Sequence, residues 1–254
     1  MPTELTRTRH LDGLRTAVAA FVRYAGRAGL DAPVPTCPDW TVRDLVAHQG
    51  MVHRWAAALV RGESDVDPDP FEAAGRADPD PLDWLRRGAA DLADLLAAAP
   101  ADLRALVFLN DAPAPREFWA RRQCHETTVH AVDALAASLG RWPRPEETWV
   151  ELDLALDGID ELLGGFLTRP RSRLRCEEDS VLVVAPDDAT EHWRVALGPR
   201  PAVTERVAGP RPADPDVDWV LDGPAVELYL ALWNRTRRDG LDDGWRERAA
   251  VVWH

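Results

Sequence analysis

Prolines set the limits on what this chain can fold into. Between residues 5 and 167 apolar side chains recur every three or four positions in long stretches, and the stretches stop where prolines cluster. Proline inside a helix removes a backbone hydrogen bond and clashes with the preceding turn, so the pattern reads as helices separated by proline-rich joints. Leu11, Leu14, Val18, Phe21, Val22 and Ala25 mark a first helix over Leu5–Gly29. The joint that follows carries three prolines between residues 33 and 38 and cannot be helical. Thr41 then offers an N-cap, with Asp44 as the acidic half of a capping box, and starts a second helix that ends near Arg61-Gly62. Residues 63–81 are acidic and proline-rich and read as a solvated loop or lid. A third helix is expected over Leu82–Ala99. A fourth spans Pro115–Leu139, with proline in its first turn and Gly140 after its end. A fifth is expected over Glu146–Leu167. The loop lengths suit an up-and-down bundle of four or five helices occupying residues 1–170.

Past Arg169-Pro170 the pattern changes. Val181–Ala185, His192–Leu197 and Asp216–Leu221 read as short strands, and Pro224–Arg237 as a largely apolar helix. Residues 171–254 are therefore expected to form a small α+β domain, and the fold class is mostly α.

Composition excludes several functions. Of 254 residues, 30 are basic and 43 acidic, and the net charge of −13 argues against nucleic acid as a partner. No stretch approaches the roughly 18 apolar residues of a membrane span, and Met1–His10 lacks the apolar core of a signal peptide, so a cytoplasmic protein is expected. The three cysteines, Cys37, Cys124 and Cys176, are too few and too scattered for a disulfide framework. Every basic residue is arginine and Ile159 is the single isoleucine, which reads as the codon bias of a GC-rich genome. Eleven tryptophans against two tyrosines are harder to dismiss; most are assigned to core packing.

Chemistry concentrates on the second and fourth helices. Glu126 and His130 are four residues apart, hence on one helical face, with Asp133 placed to accept from the His130 ring. On the second helix His48 and His53 are five apart, so only one of them faces the interior. One such histidine with Glu126 and His130 makes a His₂Glu donor set, the composition of catalytic zinc. Spacing alone does not separate this set from a solvated i,i+4 pair. His125 points about 100° away from Glu126 and reads as structural, and Cys124 as a buried small hydrophobe. Arg43, Arg54, Arg121 and Arg122 read mostly as solvated helix faces, one or two of them available to hold an anion.

These segments carry a resemblance. Cys37-Pro-Asp-Trp-Thr-Val-Arg-Asp-Leu-Val-Ala-His48 with Val52-His-Arg-Trp55, and His125-Glu-Thr-Thr-Val-His-Ala-Val-Asp-Ala134, resemble two signatures of the mycothiol-dependent maleylpyruvate isomerase family, which belongs to the DinB-like helical bundles. Leu221–Arg235 is similar to the helix of that family's C-terminal α+β domain. The resemblance covers nearly the whole chain. It implies a divalent metal, usually zinc, held by His48, Glu126 and His130. It implies His53 as a residue lining the pocket and Arg235 as an anchor for a substrate carboxylate. It further implies mycothiol or a similar low-molecular-weight thiol as cosubstrate, and a small electrophilic acid that is isomerised or conjugated. Asn234 departs from the family pattern, which commonly has glycine there, and so does the Trp253-His254 ending. Two alternatives stay open: a relative that has turned the metal to thiol-free chemistry on a specialised metabolite, and a non-catalytic metal-binding module. The latter calls for a fourth protein ligand, with His53 the nearest candidate. Trp55 and Trp119 are candidate walls of the site, and the architecture suits a monomer.

Overall fold

A computed structural model of the chain describes residues 5–110, 112–209, 211, 216–241, 243–249 and 251; Trp253-His254 lie outside them. The described residues group into two compact units. The first comprises Leu5–Val107 and Pro113–Pro143, and the second Phe108–Ala112 and the chain from Arg144 onward.

The first unit holds four long helices and a short one. These are α1 (Arg7–Ala28), α2 (Val42–Val60), α3 (Asp69–Ala77), α4 (Pro81–Ala98) and α5 (Pro115–Leu139). α1 packs along α5, and α2 packs on α3, α4 and α5. α5 begins at Pro115 and ends before Gly140, whose φ of 66° provides the left-handed cap. It is buried almost all round between Phe118 and Ala137, although that stretch includes Arg121, Arg122, Glu126, His130 and Asp133. A helix with polar groups on every buried face has to find partners for all of them, and that need organises the site below.

The proline-rich joint forms a small antiparallel hairpin of β1 (Pro33–Val34) and β2 (Cys37–Thr41). It fixes the start of α2: the Val42 and Arg43 amides donate to the Ala32 and Leu30 carbonyls at 2.9 and 2.8 Å. Thr41 and Asp44 form the expected capping box. Residues 63–81 differ from the expected loop, because α3 lies within them. Gly75 of α3 and Gly50 of α2 both face the Trp84 indole, and Arg76 pairs with Asp44 and Glu72. A segment with so few large apolar groups becomes ordered through glycine contact with one ring and through ion pairs, which hydrophobic periodicity does not register.

The second unit contains a 3₁₀ turn (Pro145–Glu147), α6 (Leu152–Asp160), a π-helical turn (Glu161–Phe166), β3 (Ser180–Pro186), β4 (Glu191–Leu197), β5 (Val203–Ala208), β6 (Trp219–Gly223), α7 (Ala225–Leu232) and α8 (Asp243–Arg248). The strand order is β5-β4-β3-β6, with β6 parallel to β3 and the other pairs antiparallel. Composition changes near residue 170 because the last helical turn ends at Phe166 and the strands follow from Ser180, yet α6 groups with the sheet. Trp193 of β4 donates to Asp160 at 2.9 Å, Thr204 of β5 to the Leu163 carbonyl at 2.6 Å, and Trp233 to the Gly158 carbonyl at 3.0 Å. The single helix expected over 146–167 is interrupted. Pro145 starts only a 3₁₀ turn, and at Gly164-Gly165 the hydrogen bonding widens so that the Leu167 amide reaches Leu162. β5 escapes a hydrophobic reading because its edge position pairs polar Thr204, Glu205 and Arg206 with β4. No described helix is long and apolar enough to cross a membrane.

Candidate metal centre

α2 and α5 bring three donors together. His48 comes from the second turn of α2, and Glu126 and His130 from one face of α5; their ligand atoms all lie within 4.8 Å of one another. Glu126 Oε1 stands 3.3 Å from His130 Nε2 and 3.8 Å from His48 Nε2. Bonds of about 2.0–2.1 Å to a tetrahedral ion place neighbouring donors roughly 3.3–3.4 Å apart, so the spacing and the N₂O donor type both fit zinc or a similar divalent ion.

The surrounding groups orient each donor. Arg122 donates to Glu126 Oε2 at 2.9 Å, leaving Oε1 turned to the imidazoles. His130 Nδ1 lies 2.8 Å from Asp133 Oδ2, which presents Nε2 to the centre. Asp133 is fully buried and also accepts from the Thr36 hydroxyl at 2.6 Å and the Cys37 thiol at 3.6 Å. The indole of Trp40 lies 4.8 Å from the His48 ring and is stacked at 6.0 Å on His130. Burial pushes the Glu126 carboxyl up, but hydrogen bonds from His130 and His48 and the Arg122 charge outweigh it and hold the group well below the carboxylate range. His130 moves the other way. Burial pushes it down, and its bonds to Asp133 and Glu126 more than reverse this, so it is raised.

The remaining expected residues fall elsewhere. His53 is fully buried, with Nε2 2.9 Å from both the Gln49 amide nitrogen and the Thr127 hydroxyl. Burial, aided by Arg54, brings its pKa down to about 3. Arg235 lies in the second unit, just past α7, and donates to the Trp233 carbonyl at 2.8 Å. Asn234 beside it has φ of 61°, a left-handed conformation that glycine adopts freely and asparagine is among the few other residues to tolerate. His125 is buried with its ring 6.2 Å from His10, and Cys124 is buried. Trp55 and Trp119 stack edge to face on each other at 5.5 Å; the ring set against the donor imidazoles is Trp40. Solvated faces were expected for most of the four arginines, and the structure places three of them otherwise. Arg121 and Arg122 are buried because α5 is, and Arg54 sits 3.6 Å over the Trp84 ring while donating to the Gly50 and Trp84 carbonyls. Trp40, Thr36, Gln49 and Thr127 escaped the reading of the sequence; for Trp40 the only signal is its place in the Cys37–Trp40 motif.

Known proteins agree with this architecture. The family model described as "Mycothiol maleylpyruvate isomerase N-terminal domain" matches residues 11–135, and that described as "MDMPI C-terminal domain" matches residues 153–251. The chain belongs to the mycothiol maleylpyruvate isomerase family. Two solved structures share its fold over 92% of both chains at 16% identity. They are the mycothiol-dependent maleylpyruvate isomerase, with a TM-score of 0.56, and a point mutant of it, with 0.58. At that identity the likeness establishes the fold. No curated protein gives a significant match.

Proposed function

We propose that this family member is a metal-dependent enzyme that uses mycothiol or a similar low-molecular-weight thiol to isomerise or conjugate a small electrophilic acid in the cytoplasm. The observation that carries this reading is the convergence of His48, Glu126 and His130 on one point, with Asp133 and Arg122 behind them. A divalent ion, zinc by the donor set, would supply a Lewis acid there that favours the thiolate of a bound thiol. The chain's own groups do the rest. Asp133 holds the His130 Nδ1 proton and so keeps Nε2 a donor to the ion, and Arg122 occupies the second carboxylate oxygen. Trp40 shields the imidazoles from bulk water. In the isomerisation, the thiol sulfur adds to a conjugated double bond, rotation occurs about the resulting single bond, and elimination releases the thiol unchanged. S-conjugation stops after the addition. Arg235 is proposed to bind a substrate carboxylate, where a guanidinium offers two parallel hydrogen bonds.

The metal-binding-module alternative needs a fourth protein donor. Among the described residues the donor group has three members, and His53 Nε2 faces Gln49 and Thr127. That favours a coordination position left for thiol or water.

The test is metal content by mass spectrometry, followed by turnover of maleylpyruvate with mycothiol. The wild-type chain is expected to hold about one equivalent of metal and to need thiol, while His48→Ala loses both metal and turnover. Full metal retention by His48→Ala, or equal turnover of a substrate without thiol, sinks the assignment.

A further inference from the structure

We infer that His53, Gln49 and Thr127 form a buried clamp that sets the spacing of the metal-donor turns, which makes all three positioning residues. The inference rests on the metal reading above. Gln49 follows His48 directly on α2, and Thr127 follows Glu126 directly on α5. The Gln49 amide donates to the Thr127 hydroxyl oxygen at 3.2 Å, across the two helices. One turn further along α2, His53 Nε2 meets both the Gln49 amide and the Thr127 hydroxyl at 2.9 Å. All three side chains are fully buried. The two helices that carry the donors are thus joined by polar bonds one residue from His48 and Glu126.

These contacts favour a neutral ring. A neutral imidazole offers one lone pair at Nε2 to the Thr127 O–H or the Gln49 N–H, whereas an imidazolium would face the Gln49 N–H with another N–H. A buried polar network tolerates few geometries, because each lost bond leaves a desolvated group unpaired, whereas an apolar contact has no such directional requirement. The clamp therefore converts an adjustable helix pair into one with a fixed separation at the donors.

The experiment compares metal binding in the full chain by competition with a chromogenic chelator, alongside the visible spectrum of the cobalt-loaded protein. Thr127→Val keeps the shape and removes the hydroxyl; it is expected to weaken zinc binding about tenfold and to alter the cobalt spectrum. Thr127→Ser keeps the hydroxyl and is expected to preserve affinity and spectrum even where the lost methyl lowers the melting temperature. His53→Gln provides a second disruption and is expected to behave like Thr127→Val. Unchanged affinity and spectrum in both Thr127→Val and His53→Gln, with loss still seen in His48→Ala, overturn the clamp and leave the metal reading standing. A wild-type chain that takes up no stoichiometric zinc overturns both.

Discussion

His53 shows how one buried side chain ties stability to acidity. Its pKa is lowered from 6.5 to about 3, first by burial and then by the Arg54 charge, against the pull of Glu126. The sign follows from proton counting. Between those two values the unfolded chain binds a proton on this ring and the folded chain does not, so acid favours unfolding. There is no penalty above pH 6.5, and each unit below it costs about 1.4 kcal/mol until the ring protonates in the folded state near 3. Metal-free wild-type protein is therefore expected to lose stability from pH 6.5 to 5 more steeply than His53→Gln, by roughly that slope. Urea unfolding at several pH values in the presence of a chelator measures it, and parallel curves for the two proteins would remove His53 as the cause. At this scale the sequence was informative where contacts are local. Glu126, His130 and Asp133 share one stretch of helix, so their convergence follows from helical geometry. Thr36 reaches Asp133 from 97 positions away, and no spacing rule reports such a contact.

Elements were legible according to what stabilises them. α1, α2 and α4 bury apolar stripes, α5 is bounded by Pro115 and Gly140, and all four appear within a few residues of their expected ends. α3 is held by Gly75, Trp84 and the ion pairs of Arg76, and it hid inside an apparent loop. The Trp84 indole ties these helices together. A Cβ at Gly75 would lie 2.6 Å from the ring atoms Cη2 and Cζ3, and one at Gly50 would overlap the same ring. Glycine in a helix costs about 0.5–1 kcal/mol relative to alanine, so the position has a steric reason to stay empty. Gly50→Ala is expected to destabilise the fold by about 1–3 kcal/mol despite the better helix propensity. Combining it with Trp84→Leu should cost less than the sum of the two single changes, because both act on the same space. Strict additivity in denaturant unfolding would show that the ring moves aside freely. The hairpin β1–β2 illustrates the opposite limit. Its prolines exclude helix, but nothing in them announces that the turn also carries Thr36, Cys37 and Trp40 to the metal-donor residues.

For the whole molecule, the boundary between units illustrates what composition can and cannot report. A change from helical to strand grammar near residue 170 is visible because side-chain periodicity changes there. The grouping of α6 with the sheet is invisible, because it depends on indole and hydroxyl groups of Trp193, Thr204 and Trp233 finding partners far along the chain. The buried polar groups of the first unit lead to a final expectation. On α5 it buries two carboxylates, Glu126 and Asp133, and two guanidiniums, Arg121 and Arg122. Buried polar groups without partners are costly, so a divalent cation at His48, Glu126 and His130 satisfies the lone pairs that face one another there. A ligand that binds only the folded chain stabilises it by about 2.7 kcal/mol at 100 times its dissociation constant. In a chain of this size that corresponds to roughly 5–10 °C in melting temperature. Scanning calorimetry with zinc and then with excess chelator is expected to show a drop of that order in the wild-type protein and none in His48→Ala. Equal melting temperatures for wild type in the two conditions would mean that the three donors converge without a cation to hold.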